Sequence, residues 1–243
     1  MNPGDLGQIW VYLATSPLLG LTATLVAYLL AHRLYAASGH NPLLNPVLTA
    51  AAVLIALLLA TDTPYSHYFE GAQFVHFLLG PATVALAVPL YRQSAKLRKV
   101  WLPLTVGLLG GVCAGALGSV ALAALFGADQ QTLLSVAPKS VTAPVAMGIS
   151  ERIGGLPALT AVLVVMTGIA GAVMGTKLLE LLRVRDDAVK GVAMGVSAHG
   201  IGTARAFQIS GEMGAFAGLA MALSAFATAL LLPWLLRWVG LLA

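Results

Sequence analysis

From residue 100 to residue 126 the chain runs for 27 positions without an Asp, Glu, Lys or Arg. A helix rises 1.5 Å per residue, so about 20 apolar residues cross a bilayer, and this stretch is long enough to do so. Similar apolar segments lie at about 16–31, 43–60, 71–91, 133–150, 156–182, 189–209 and 214–238, making eight in all. A weaker one, 6–14, fits the membrane interface. Only 9% of the 243 residues are charged, where a soluble domain carries about 25%. Segments and short connections use up the chain, which predicts an all-α polytopic membrane protein: one integral membrane domain, 1–243, in a lipid bilayer, with no separate soluble domain. Disorder and coiled coil are excluded by the same pattern.

The charges that remain are grouped. Arg92, Lys96, Arg98 and Lys99 fall in one polar stretch and Arg183, Arg185 and Lys190 in another, whereas the loops holding Asp62 and Glu70, and Asp129, contain no Lys or Arg. Cations concentrate on the cytoplasmic side of membrane proteins, so both basic stretches are predicted to face the cytoplasm, and the net charge of +4 reflects topology rather than a nucleic-acid partner. The first ten residues carry Asp5 and no cation, unlike a cleaved signal peptide, and are expected to be retained. Segments four and six together supply two crossings between the basic stretches. Segment five must therefore leave on the side it enters, as a re-entrant hairpin. Segment seven is either a hairpin or a broken crossing, with Arg237 leaning toward a crossing.

Prolines and glycines mark where helices break or meet. Pro81 follows Gly80 in segment three, and Pro138 and Pro144 interrupt segment five; each removes a backbone donor. Gly107, Gly111 and Gly115 recur every four residues and predict a bare face for close helix packing, as do Gly171 and Gly175. Pro81-x-Thr83-Val84 resembles Pro138-x-Ser140-Val141, and Leu102-Pro103 resembles Leu156-Pro157, as in a two-repeat transporter-like architecture with halves 1–127 and 128–243.

Two stretches concentrate polarity inside apolar sequence: 137–144, with Lys139, Ser140 and Thr142, and 197–205, with His199, Gly200, Gly202, Thr203 and Arg205. An intramembrane cation costs at least about 2.5 kcal/mol, so it persists where it faces a cavity, pairs with an acid or reaches an interface. Unwound backbone at membrane depth adds free N–H groups. Cation, hydroxyls and open amides together suit a small carboxylate anion, held by Lys139 or Arg205 and read by Ser140, Thr142 and Thr203. The competing account places both cations at loop ends, balanced by Glu151 and Glu212. His199 is either a buried histidine bonded to a carbonyl or the titrating group for proton coupling. Gly200-Ile201-Gly202 lacks the third glycine and the strand of a dinucleotide fingerprint, so no cofactor is expected. His67 and His76 have no metal-ligand spacing, Cys113 is alone, and no nucleophile, base and acid stand out, so neither a metal site nor an enzyme is expected.

The runs 133–175 and 191–223, with PKSVT-x-P and HGIGTAR, closely resemble the LrgB/CidB family of bacterial inner-membrane proteins, and FLLGPATVALAVPLY resembles a third motif of that family. The resemblance spans nearly the whole chain. It implies a small multi-pass protein acting with a separate LrgA/CidA-type membrane partner, and it leaves a homo-oligomer open. Family members are described both as antiholin-like regulators of murein hydrolase activity and autolysis and as carriers of glycolate, glycerate or pyruvate. Paired broken helices with intramembrane cations favour the carrier; a regulator of cell-wall hydrolases is the alternative.

Overall fold

The computed structural model describes residues 17–39, 41, 44–78, 81, 84–85 and 87–242. These form ten helices, with no strand among the described residues, in two compact units, Met1–Ala85 and Leu86–Ala243. Four helices are long and apolar enough to cross a membrane. The stretch 6–14 lies outside the described residues.

The first unit contains α1 (Pro17–Ala37), α2 (Pro46–Ala60) and α3 (Tyr65–Phe77). Asn45 starts α2, its Oδ1 accepting the Val47 N–H at 2.9 Å, and Pro46 supplies the preset φ of a first helical residue. Ala27 and Ala31 of α1 pack on Ala50 of α2, while Gly20 lets the Tyr68 carbonyl of α3 approach where a Cβ would have no room. The expected loop around Asp62 and Glu70 is mostly helix: α3 begins at Tyr65 and holds His67 and Glu70, with the Tyr65 ring stacked on Phe69 one turn on, 5.6 Å between centroids. Around the expected break, α3 ends at Phe77 and Pro81 is exposed; Gly80 and Thr83 lie outside the described residues.

The second unit contains α4 (Ala87–Arg92), α5 (Ser94–Leu125), α6 (Gln130–Val136), α7 (Ala143–Ile153), α8 (Pro157–Leu181), α9 (Asp187–Ile209) and α10 (Gly211–Trp238). Lys96, Arg98 and Lys99, read from sequence as a polar connection, are the first turns of α5. Segment five is the expected hairpin. Asp129 caps α6, its Oδ1 accepting the Thr132 N–H at 2.9 Å; the chain turns through 137–142; and α7 ends at Gly154, whose φ of 89° suits glycine. Gly155 then packs on Leu134 and Ser135, back beside α6. Polar groups pin this base: Ser135 Oγ accepts the Leu156 N–H at 2.7 Å, and Thr160 Oγ1 lies 2.9 Å from the Ser135 carbonyl and 2.8 Å from Ser150 Oγ, with all three hydroxyl residues fully buried. Thr160→Val, which keeps the shape and removes the hydroxyl, is expected to cost about 1–3 kcal/mol in reversible denaturation, since buried polar groups lose their partner.

Segment seven is also a hairpin. A straight helix of 23 residues would hold its ends about 34 Å apart, yet Ser210 Oγ donates to Asp187 Oδ2 at 2.7 Å. The reversal sits at Ala198 (φ −131°, ψ 16°) and His199 (φ 40°, ψ −133°), giving arms 187–197 and 200–209. Gly202 admits the Met194 carbonyl between the arms, and Gly191 and Gly195 admit the Met213 and Ala217 carbonyls of α10. This corrects the leaning toward a crossing drawn from Arg237, which instead lies over the Trp234 ring, 5.6 Å from its centroid, near the end of α10.

Lys96 joins the two basic stretches at one end of the unit, its Nζ 2.9 Å from Asp186 Oδ2 and 2.6 Å from Glu212 Oε1. At that end α5 and α10 begin, α8 finishes and α9 starts and returns. The α6–α7 hairpin starts and returns at the other. The unit is thus a helix followed by a hairpin, α5 with α6–α7, and then the same pair, α8 with α9, running the opposite way.

The Lys96 ammonium holds the Asp186 carboxyl below the usual carboxylate range, helped by the Val189 and Ala188 N–H groups. A depressed folded pKa stabilises above the unfolded value and is lost as pH falls through the folded one. Stability of the purified protein is therefore expected to fall below about pH 4, and Asp186→Asn to flatten that limb. Both side chains are solvated, so the effect should shrink in high salt.

Candidate functional site

The turn of the α6–α7 hairpin is built from short-range bonds. The Lys139 N–H donates to the Val136 carbonyl at 3.1 Å and the Val141 N–H to the Pro138 carbonyl at 3.2 Å, with Pro138 and Val141 buried beneath them. Lys139 is carried out of the hairpin by this turn. Its ammonium donates to Ser140 Oγ at 3.4 Å, and no carboxylate among the described residues comes within ion-pair distance. Glu212, one of the acids expected to balance the cations, is bonded to Lys96 instead.

Lys139 and Ser140 line a cavity of about 540 Å³. One wall is α5, through Gly107, Gly111 and Gly115; another is α8, through Thr167, Gly171 and Gly175; the third is the first arm of α9, up to Ser197. The glycine stripes divide into two kinds. Gly171 and Gly175 take close contacts from Ala198 and Met194, as the spacing predicted. Gly107 has nothing within 4 Å of the place a Cβ would occupy, and at Gly115 that place is 3.7 Å from Ser140 Oγ. On α5 the stripe therefore bounds open space more than it seats a helix, Gly111 against Val196 being the exception. Thr167 and Ser197 were not among the residues singled out from sequence. A hydroxyl on the glycine face of segment six was the available signal for Thr167.

The remaining residues singled out from sequence lie elsewhere. Thr142 precedes α7, its side chain making no capping bond, and Pro144 lines a separate cavity of about 270 Å³ with Arg152 and Pro233. His199 is buried at the α9 reversal. Its ring fits the notch at Gly168, and Nε2 lies 2.9 Å from the Val164 carbonyl, which can only accept, so that nitrogen carries its proton. Thr203 Oγ1 donates to the His199 carbonyl at 2.8 Å. Gly202 is taken up by the contact between the arms, and Gly200 is exposed at the start of the second arm. Arg205, six residues past the break, donates from Nη1 to Gln208 Oε1 at 3.1 Å. Neither Arg205, His199, Thr203 nor the two glycines line the cavity that holds Lys139. Pro81 belongs to the first unit.

A glycine-walled cavity with one half-buried ammonium and three hydroxyls can receive a small monoanion by a charge-assisted hydrogen bond. The model of the LrgB-like family matches residues 24–238. The chain is 39% identical over 185 residues to YxaC of Bacillus subtilis (strain 168), covering 76% of this chain and 80% of that protein. It is 36% identical over 195 residues to YwbG of the same strain, covering 80% and 87%. With the holin-like protein CidB of Staphylococcus aureus (strain Mu50 / ATCC 700699) it shares 31% identity over 219 residues, covering 90% and 95%. No solved structure matches. A family match across nearly the whole chain and relatives similar over most of their length agree with the long apolar helices: this is a membrane protein, and the chain belongs to the LrgB-like family.

Proposed function

We propose that the protein is a multi-pass carrier of small monocarboxylates in the bacterial inner membrane, and that Lys139 holds the carboxylate. The observation that supports this reading is a half-buried ammonium, without a carboxylate partner among the described residues, facing a cavity of about 540 Å³. Desolvating a charge without compensation is costly, so a lysine in this place is best explained by an anion that visits it. Ser140 accepts from Lys139 and keeps its own proton to donate to a keto oxygen. Ser197 Oγ donates to the Ala193 carbonyl at 2.6 Å, leaving its lone pairs for a substrate hydroxyl. Pyruvate, glycolate and glycerate carry these groups.

In this reading α5, α8 and α10 cross the bilayer, the end bearing Lys96, Arg183 and Arg185 faces the cytoplasm, and the two hairpins dip in from opposite faces. His199, Gly200, Gly202, Thr203 and Arg205 hold the α9 tip in place, and Thr142 leaves the start of α7 open beside the site. An LrgA/CidA-type small membrane protein is the proposed partner, and the carrier assembles as a homo-oligomer or with that partner. The test is uptake of labelled pyruvate, glycolate and glycerate by vesicles containing the purified protein, with and without the partner; no uptake of any of the three would end this reading. The holin-like name of the staphylococcal relatives favours a second one, regulation of murein hydrolases and autolysis. An autolysis phenotype that survives Lys139→Ala would support it.

A further inference from the structure

At the basic end of the second unit, Glu180, Arg183, Val184, Arg185 and Lys190 line another cavity, of about 400 Å³. Its lining residues neighbour those of the Lys139 cavity along α8 and α9. The Val184 N–H, on the wall of one, donates to the Leu179 carbonyl, on the wall of the other, at 2.9 Å. On α9, Lys190 lines the basic cavity one helical turn before Ala193 and Met194, which line the Lys139 cavity. Three cations face one acid here, and Lys190 is also 3.8 Å from Asp187.

The backbone adds a second observation. Arg183 has φ 57°, and its N–H donates to the Glu180 carbonyl at 2.9 Å. Together with the Val184 bond this is the glycine-favouring close of a helix, with an arginine where glycine costs least. Strain kept at such a position points to the side chain that remains there. Placing cations at the cytoplasmic end requires only charge, which any neighbouring position supplies without strain.

We infer that Arg183, Arg185 and Lys190 form a vestibule that gathers carboxylate anions and delivers them to the Lys139 cavity. The inference rests on the carrier reading. Cations around a mouth raise the local anion concentration, an effect that fades once ionic strength shortens the screening length to a few ångströms. In phosphatidylcholine vesicles, which have no net headgroup charge, Arg183→Gly is expected to raise KM for pyruvate about five-fold at low ionic strength with kcat unchanged, and to raise thermal stability. Arg183→Gly with Arg185→Gln should raise KM about ten-fold or more, while Arg183→Lys stays near the unaltered protein. Arg98→Gln, a cation of the same end outside both cavities, should change nothing. In about 1 M salt all variants should converge. If the double variant keeps the KM and salt dependence of the unaltered protein while Lys139→Ala abolishes uptake, the vestibule is wrong and the carrier stands. If the effect appears only with phosphatidylglycerol present, the cations hold lipid headgroups and the inference fails. No uptake by the unaltered protein overturns both.

Discussion

Lys139→Met should abolish uptake of small carboxylates and, at the same time, leave the protein more stable. The two effects have one cause. An ammonium whose partner among the described residues is Ser140 Oγ at 3.4 Å is poorly compensated, so replacing it with a side chain of similar length and no charge should raise stability by about 1–2 kcal/mol in reversible denaturation. A carboxylate held there would reverse the balance. Losing the partner of a desolvated carboxylate typically costs about 2 to 5 kcal/mol, roughly a thirty-fold to several-thousand-fold loss of affinity. Lys139→Ala should behave alike in uptake, and both variants should lose any thermal shift induced by pyruvate. Arg205→Ala should weaken transport less, because Arg205 does not line the cavity. Lys177→Ala, exposed on α8, should be silent. A Lys139→Met variant that is less stable than the parent yet still transports would mean that the lysine holds the fold and binds no anion.

The second large effect is expected at Gly195. A Cβ there would collide with the Ala217 carbonyl, backbone that cannot swing aside, so Gly195→Val should destabilise by about 3 kcal/mol and loosen the α9 hairpin from α10. Gly107→Ala is the matched control. It adds the first carbon of a side chain to a glycine on a long helix, but into open space, so its stability should hold or rise slightly with helix propensity. Guanidinium or SDS unfolding of the two variants side by side decides whether the glycines play these different parts; equal losses would refute the distinction.

Much of this architecture is written in local chemistry. The apolar lengths gave α8 and α10 nearly to their ends and α5 without its charged first turns, and the shared side demanded by Lys96 and Arg183 was enough to require a hairpin at Pro138. The reversal at His199 was less accessible. It contains no proline, and the residues that make it possible, Gly191, Gly195 and Gly202, do so by accepting carbonyls from distant or returning backbone, which spacing alone cannot reveal. The same limit applies to the site. Lys139 and Arg205 look equivalent in sequence, each a cation among hydroxyls. Only the direction in which each hairpin presents its side chains separates them, one into the cavity and the other onto the second arm of α9. The stripe on α5 misled for a related reason: a glycine every four residues specifies a bare face and does not specify what lies opposite.

The base of the α9 hairpin also sets an order of events during synthesis. Asp187 and Ser210 must meet at one end of the unit, and Gly191 and Gly195 close on carbonyls that belong to Met213 and Ala217, so residues 187–209 cannot complete their burial until α10 has emerged from the ribosome. A nascent chain arrested at residue 209 should leave this region open to protease, and one extended through Trp238 should protect it; α10 lines none of the Lys139 cavity, yet it seats the arm of α9 that does.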